Sequence, residues 1–328
     1  MKKSLFSLIF AFFSISAFAL SQKDFSLFVD GSFGIKRGEI GEYVFQKYNG
    51  KWKKLSELNW DEKWIPCFDF SVQSGFKQFF TTLDFSFDIP CESGIMADSD
   101  WQNSEDWGMK TNYSESENRL KYDFGFCAKI GFDFQISSEW KIAPTAEFEY
   151  STFRFEARNG HGWYADSANS KDKKNHEWNS DYATEYPSKS LGGIDYERDA
   201  ILAYVGFSAR FLPKNFSRFS IEANAAISPF SRSISYDRHW DVDYKSGTDY
   251  ADEVYSFFTR IKAGLRFFYL FSKKIEFFAA TDGFFSFTDQ GTNYSKSIES
   301  RKYKKETVEG GADEWFVLVR FGCRFKIM

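Results

Sequence analysis

The sequence predicts an all-β protein: a ten-stranded antiparallel transmembrane β-barrel with long extracellular loops and short periplasmic turns. Three observations predict this fold: an unusual composition, a period-two hydrophobic pattern, and links between segments that alternate in length. The composition combines 41 phenylalanines and 21% aromatic residues with 27% charged residues and a mean hydropathy of -0.45. A chain can be this aromatic and this charged when each strand has one apolar and one polar face.

The alternation is clearest between Leu120 and Phe134. Apolar residues occupy every second position there, and Lys121, Asp123 and Lys129 are among the residues between them. Period two over this length indicates a strand, and no helical period fits it. Segments of this length exceed the roughly 9–11 residues that a tilted transmembrane strand needs. The same pattern predicts ten strands, at residues 24–45, 55–73, 77–90, 118–135, 139–155, 199–212, 217–232, 254–270, 274–288 and 315–327.

The links between these segments predict the topology. Short links such as "QSGFK" and "LFSKK" alternate with long ones near residues 46–54, 91–117, 156–198, 233–253 and 289–314. All long loops then lie at one end, as in outer-membrane barrels, and closure satisfies every backbone hydrogen bond in lipid. A soluble lipocalin-like barrel or a sandwich is the alternative. It would place the apolar face inside, whereas the polar face of the last segment fits a small filled lumen.

The N-terminus carries the features of an export signal. Lys2 and Lys3 precede an apolar run, and Ala17-Phe18-Ala19 forms an A-x-A cleavage site. We therefore predict a signal peptide over residues 1–19 and a single outer-membrane barrel domain over residues 20–328, with an uncleaved anchor as the alternative. Removing the two lysines takes the formal charge from -4 to -6. This acidity argues against nucleic acid as a partner.

The four cysteines offer no metal or redox motif. Cys67, Cys91, Cys127 and Cys323 are widely scattered, with neither a CxxC pair nor a metal-ligand spacing. We predict no metal site and no cofactor. An exported chain could oxidise them, so the sequence leaves their disulfide state open.

Two predicted loops carry the candidate chemistry. Asp98 and Asp100 lie in one, and Asp237 and His239 lie in another that opens at the same end of the barrel. In extended chain, residues i and i+2 face the same side. A carboxylate beside a histidine fixes its tautomer and raises its basicity, while two close carboxylates tend to share a proton. A water between the two groups could then attack a carbonyl without a serine or cysteine nucleophile.

The chain resembles the omptin family of outer-membrane endopeptidases. The segments that carry the resemblance are "RGEIGEYVF" with "LSELNW", "GIMADSDWQNS", "YSTFRFEARNG", "SYDRHW" and "FVLVRFGCRFK". The resemblance implies that Asp98 and Asp100 are the catalytic aspartate pair, that His239 is the catalytic histidine, and that Asp237 orients it. It also implies that Glu42 lines a pocket for a basic P1 side chain.

Two departures from the family pattern concern selectivity and basicity. Ser235 stands where omptins with strict dibasic preference carry a second acid, so we expect looser selection for a basic P1 residue. Arg238 stands between Asp237 and His239, where an acid is common, and a cation there could lower the proton affinity of the histidine.

The expected partners follow from charge and from the resemblance. Acidic residues outnumber basic ones in both site-bearing loops, which should attract cationic peptides. The resemblance also implies a monomer activated by an outer-leaflet glycolipid. The alternative is a non-catalytic outer-membrane barrel that acts as an adhesin, a surface antigen or a narrow pore. A barrel lipase is a weaker third possibility, because that chemistry normally uses a serine–histidine pair.

Overall fold

A computed structural model describes residues 24–328, which form a closed antiparallel barrel. The predicted signal peptide, residues 1–19, lies outside the described residues. Apart from a short 3₁₀ turn at Lys214–Phe216, the regular elements are all strands. They are β1 (Phe25–Tyr48), β2 (Lys51–Phe76), β3 (Phe79–Asp88), β4 (Glu92–Asp100), β5 (Asn112–Phe132), β6 (Phe134–Gln135), β7 (Trp140–Tyr164), β8 (Thr184–Tyr186), β9 (Ile194–Phe211), β10 (Phe219–Trp240), β11 (Gly247–Ser256), β12 (Arg260–Ser272), β13 (Ile275–Ser297) and β14 (Lys304–Lys326).

These segments make a barrel of ten strands, as the sequence predicts. β3 and β4 both pair with β2 and β5 and are two halves of one barrel strand. β11 and β12 are likewise two halves of the strand between β10 and β13. The short β6 and β8 are additions to β7. The ring closes where β1 pairs with β14, from Phe28 opposite Lys326 to Phe45 opposite Glu309.

The strands run further than the sequence predicts, so several predicted loops are wrong. The expected loop at 46–54 is a two-residue turn at Asn49-Gly50, where both residues have positive φ. Residues outside regular strands at the other four long connections are 101–111, 165–193 (apart from β8), 241–246 and 298–303. The extensions rise beyond the lipid-facing band, where both faces carry polar residues. Hydrophobic alternation ends there although the backbone ladder continues.

An apolar outer band marks the membrane-spanning part. Outward side chains such as Phe33, Phe207 and Phe321 are 46%, 67% and 67% exposed, as lipid-facing residues of a barrel are. On β1 the band ends between Ile35 and Arg37, because Arg37 is the first charged residue on the outward face. The end of the barrel that carries the Asn49-Gly50 turn is called the upper end below. Among the described residues, none belongs to a helix long and apolar enough to cross a membrane.

The lower lumen is filled by buried ion pairs. Arg324 binds Asp30 through two parallel hydrogen bonds of 2.8 Å, and Arg266 contacts the same carboxylate at 3.3 Å. Lys36 contacts three carboxylates at 2.5–2.9 Å, including Glu62. A cavity of about 370 Å³ remains between these groups. The inward charges therefore fill a small barrel, as the polar face of the last predicted strand indicates.

An apolar layer crosses the barrel above these ion pairs. Trp60 is fully buried and stacks on Tyr196 with ring centroids 5.6 Å apart. The other buried members of this layer are Ile40, Leu58, Ile65, Met96, Leu120, Phe153, Phe155, Ala157 and Ile194. Because Ile40 lies two residues from Glu42 and Met96 two residues from Asp98 on the same strand faces, this layer forms the floor below the upper polar groups.

The paired Asp30 should be essential to barrel stability. Asp30→Asn leaves the buried Arg324 without its counter-charge, so we expect the free energy of unfolding to fall by about 3–5 kcal/mol. Urea unfolding of the refolded barrel in lipid vesicles measures this. The matched control is Glu253→Gln, which removes the outward-facing partner of Arg232 and should cost at most about 1 kcal/mol. Equal losses in the two variants would contradict the prediction.

Candidate active site

The two predicted aspartates lie at the upper end of β4, on a strand and not in a loop as predicted. Asp98 pairs with Leu58 of β2 and with Ser114 of β5, and Asp100 ends the strand. Alternate residues of a strand share a face, so both carboxylates lie on the side of the buried Met96. The expectation that the two aspartates share a face is confirmed, and pairing on both sides holds them in place.

The aspartate and histidine of the second motif lie at the upper end of β10. The His239 Nε2 atom is 2.5 Å from Asp237 Oδ2, so Asp237 fixes the orientation of the ring. The side chain of His239 remains 38% exposed, whereas that of Asp237 is 9% exposed. β10 is paired on both sides here, with Ile194 of β9 and Thr248 of β11 opposite His239.

The two motifs come together across the barrel mouth. Burial by itself lowers the pKa of His239, but the negative charges of Asp237, Asp98 and Asp100 outweigh it and raise the pKa to about 9. The charge of His239 in turn lowers the pKa of both Asp98 and Asp100. These mutual effects indicate that the two motifs face each other in a partly desolvated barrel mouth. The structure therefore brings four of the predicted site residues into one cluster.

Asp98 and Asp100 differ in what surrounds them. Burial and then the charge of Asp100 raise the pKa of Asp98 well above its ordinary value, and its Oδ1 has no hydrogen-bond partner within residues 24–328. Burial also raises the pKa of Asp100, but Asn112 Nδ2 donates to its Oδ2 at 3.2 Å and opposes the rise. Asp98 is thus the carboxyl more easily kept protonated, and Asp100 is the more easily ionised one.

Glu42, the predicted pocket residue, lies on β1 just above the apolar layer. It is 3% exposed, and its Oε2 has no hydrogen-bond partner in the described part of the chain. Burial raises the pKa of Glu42 well above its ordinary value, and Asp237 and Asp252 add to the rise. A buried carboxylate beside other carboxylates is costly until a cation joins it.

Asp252 lies near Glu42 and Asp237, and the sequence analysis did not single it out. It lies on β11, 4% exposed, and its Oδ1 accepts a hydrogen bond of 2.7 Å from Asn293 Nδ2. Burial raises the pKa of Asp252 to about 7, against the Asn293 hydrogen bond and together with the charge of Asp237. The signal that could have found it is its position directly opposite Ser235 in the pairing of β10 with β11. That register becomes visible only when residues 247–256 are recognised as a strand.

Arg238 does not act on the histidine as the sequence suggested. Its Nη2 contacts Asp249 Oδ2 of β11 at 3.2 Å, and Lys296 and Tyr303 contact the same carboxylate. Successive residues of β10 face opposite sides, so Arg238 points away from the cluster around His239. The pKa of His239 is raised, which is the opposite of the expected effect.

Trp101 and Trp240, which directly follow the two motifs in the sequence, contact charged side chains. Trp101 receives the ammonium groups of Lys54 and Lys110 over its ring, and Trp240 Nε1 donates to Asp195 at 2.9 Å. Within residues 24–328, no group of three or more His, Cys, Asp or Glu side chains is arranged to hold a metal ion. The four cysteines are free thiols in this structure.

The fold and the site together define a class of protein: an outer-membrane barrel whose mouth carries carboxylates around one histidine. The Omptin family model matches residues 22–325. The chain therefore belongs to the omptin family of outer-membrane proteases, and the resemblance drawn from its motifs is confirmed.

One solved structure shares this fold. The chain is similar to the outer membrane protease OmpT from Escherichia coli, with a TM-score of 0.78 and 17% identity over 94% of this chain and 99% of that one. The translocator domain of the autotransporter NalP from Neisseria meningitidis has a TM-score of 0.34 and 9% identity over 99% and 96% of the two chains. The P. putida toluene transporter TodX has a TM-score of 0.33 and 8% identity over 92% and 90%. Curated protein sequences give no match.

The histidine cluster predicts an unusual titration. The imidazole of His239 should titrate near pH 9, and Asp237→Asn should lower its pKa toward 6.5, because the variant removes the nearest negative charge. NMR titration of the ¹⁵N-histidine-labelled barrel measures this, since the chain has only three histidines. His239→Ala assigns the signal. An unchanged His239 pKa in Asp237→Asn would contradict the arrangement.

Proposed function

We propose that the chain is an endopeptidase that hydrolyses peptide bonds next to basic residues with an activated water as nucleophile. The observation that carries this proposal is the meeting of His239 and Asp237 with Asp98 and Asp100 at the barrel mouth. A base with an orienting carboxylate, opposite a carboxyl pair that can hold a proton, has the parts needed for water-mediated acyl hydrolysis.

In the proposed mechanism, a water between His239 and Asp98 attacks the scissile carbonyl carbon. Nε2 of His239 is engaged by Asp237, which leaves Nδ1 to take the proton from the water. The new C–O bond forms as the carbonyl π electrons move to oxygen. When the tetrahedral intermediate collapses, the C–N bond breaks and the departing amine takes the proton from the imidazolium. Asp100 tunes the proton affinity of Asp98.

The raised pKa of His239 has a definite consequence for this mechanism. A histidine with a high pKa is a strong base once it has lost its proton, but only a small fraction is neutral at pH 7. The nearby carboxylates stabilise the imidazolium formed during attack, as the orienting aspartate does in a serine–histidine–aspartate triad. The cluster therefore favours the charge distribution of the transition state over that of the neutral resting base.

Glu42 is the proposed pocket residue for the basic P1 side chain. A buried carboxylate with an unpaired oxygen offers a charge-assisted hydrogen bond to an incoming guanidinium or ammonium group. The proposal also places the upper end of the barrel outside the cell, so that peptide substrates reach the mouth directly. We further propose that the barrel acts as a monomer and that an outer-leaflet glycolipid activates it.

Substitution of the proposed catalytic groups should abolish cleavage without unfolding the barrel. We expect Asp98→Asn and His239→Ala each to lower kcat/KM by about 10²–10⁴-fold, because each removes a proton-transfer group. The assay uses refolded barrel in detergent, with and without added outer-membrane glycolipid, and quenched fluorescent peptides containing Arg-Arg or Arg-Lys.

Matched substitutions outside the cluster serve as controls. His176→Ala alters a histidine of the 165–193 connection and Asp243→Asn an exposed aspartate of the 241–246 connection, and both should leave the rate unchanged. If neither basic nor non-basic peptides are cleaved by the wild type, the protease proposal is wrong. Binding without cleavage would then favour an adhesin or antigen, and conductance in planar bilayers would favour a pore.

Glu42→Gln should change substrate preference more than catalysis. We expect kcat/KM to fall about ten- to hundredfold for a peptide with arginine at P1, because one charge-assisted interaction is lost. A matched peptide with norleucine at P1 should be cleaved at nearly the wild-type rate. Equal losses for both peptides would assign Glu42 to the structure of the site and not to recognition.

A further inference from the structure

Asp252 lies beside the position where the family pattern leads one to expect a second acid. Ser235 of β10, which stands at that position, pairs directly with Asp252 of β11. Both residues are buried, with 5% and 4% of their surfaces exposed. A carboxylate absent from position 235 of β10 is thus present directly opposite it, on the neighbouring strand β11.

Two neighbouring strands position the Asp252 side chain. Asn293 of β13, its register partner, holds Oδ1 through the 2.7 Å hydrogen bond. On β14, Gly310 leaves the space that the carboxylate occupies, because a Cβ at that position would collide with it. Two residues along β14, Ala312 pairs with Glu42 of β1. The Asp252 side chain therefore extends across the wall toward the strand pair that carries Glu42.

The polar atoms gathered here need a hydrogen-bond donor. Oε2 of Glu42 and Oδ1 of Asp237 are buried and have no partner in the described residues. Burial and the charges of Asp237 and Asp252 all act against ionisation of Glu42. Carboxylates crowded in this way become favourable when a cation with several donors enters between them.

We propose that Asp252 and Glu42 form a two-carboxylate pocket that selects arginine at P1, in place of the looser selection expected from Ser235. This inference rests on the proposed function, since it assigns the substrate side chain of the same site. A guanidinium presents five N–H donors in a planar fork and can meet two carboxylates at once, whereas the ammonium of lysine is a single point of charge. The pocket therefore prefers arginine to lysine, and both to a neutral side chain.

Asp252→Asn tests the pocket with little change in shape. We expect kcat/KM to fall about ten- to hundredfold for a peptide with arginine at P1, and to change little for the same peptide with norleucine. Glu253→Gln is the matched control, because the adjacent carboxylate faces outward and pairs with Arg232. The ratio of arginine to norleucine cleavage should be unchanged in this control. An unchanged ratio in Asp252→Asn would overturn the pocket.

A rescue variant separates recognition from local structure. In the Asp252→Ser protein, the further change Ser235→Asp returns a carboxylate to the opposite member of the same strand pair. We expect it to restore most of the preference for arginine. Folding is checked in each variant by the heat-modified shift of the barrel in gel electrophoresis. A folded double variant that remains as unselective as Asp252→Ser would contradict the proposal.

A binding measurement distinguishes failure of the pocket from failure of the protease proposal. The His239→Ala barrel, with and without Asp252→Asn, is titrated with a fluorescent peptide amide that contains a single arginine. A loss of affinity of about tenfold or more on Asp252→Asn supports the pocket, whether or not the wild type cleaves peptides. If the wild type cleaves nothing, only the protease proposal is refuted. If Asp252→Asn leaves the peptide affinity unchanged and the wild type cleaves peptides, only the pocket proposal is refuted.

Discussion

Closure of the hydrogen-bond ladder between β1 and β14 is the constraint on which the rest of the structure depends. A strand edge exposed to lipid would leave its N–H and C=O groups unpaired, at a cost of several kcal/mol each. The ladder from Phe28–Lys326 to Phe45–Glu309 removes that edge and continues beyond the apolar band. The same pairing sets Glu42 opposite Ala312, so the closure that permits membrane insertion also fixes the position of the proposed pocket residue.

The barrel interior changes in character from the membrane to the mouth. The lower lumen holds several buried ion pairs, such as that of Arg324 with Asp30, and these pairs fill space and lock the strands. The apolar layer with Trp60 and Tyr196 then separates this region from the upper cluster. Above the layer, the carboxylates of Glu42 and Asp252 form no salt bridge with a Lys, Arg or His side chain of residues 24–328. Buried carboxylates that lack an ionic partner are the groups expected where a ligand supplies the cation.

Much of the fold follows from the sequence, because lipid imposes strict alternation on the membrane-spanning part of each strand. Phe33, Phe207 and Phe321 all lie in predicted strands and all face outward. The strand ends could not be predicted in the same way. Above the band, water bathes the outside of the barrel, so the outward positions of β10 carry Arg232 and Arg238 and the period-two signal disappears. Asp98 and Asp237 were therefore assigned to loops although both lie in paired strands.

The site was partly predictable for a related reason. A local motif such as D-x-H places two side chains on one face of any extended segment, so the pairing of Asp237 with His239 needed no knowledge of the barrel. The relation between Ser235 and Asp252 depends on register across two strands joined by residues 241–246, which sequence spacing does not give. Two residues that are neighbours only because their strands pair are not detected by a comparison of local motifs.

The crowding of acids at the mouth also bears on how binding energy could serve catalysis. Burial and the neighbouring negative charges, that of Asp237 among them, raise the pKa of both Glu42 and Asp98, so the substrate-free site holds these carboxylates at an energetic disadvantage. A basic substrate side chain in the proposed pocket would relieve that repulsion, and part of the relief would reach Asp98, which neighbours both Glu42 and His239. Ionisation of Asp98 then becomes easier when a cation is bound than when the site is empty. In that case the side chain that identifies a substrate also adjusts the proton balance of the groups proposed to cut it, and recognition and hydrolysis draw on one electrostatic network.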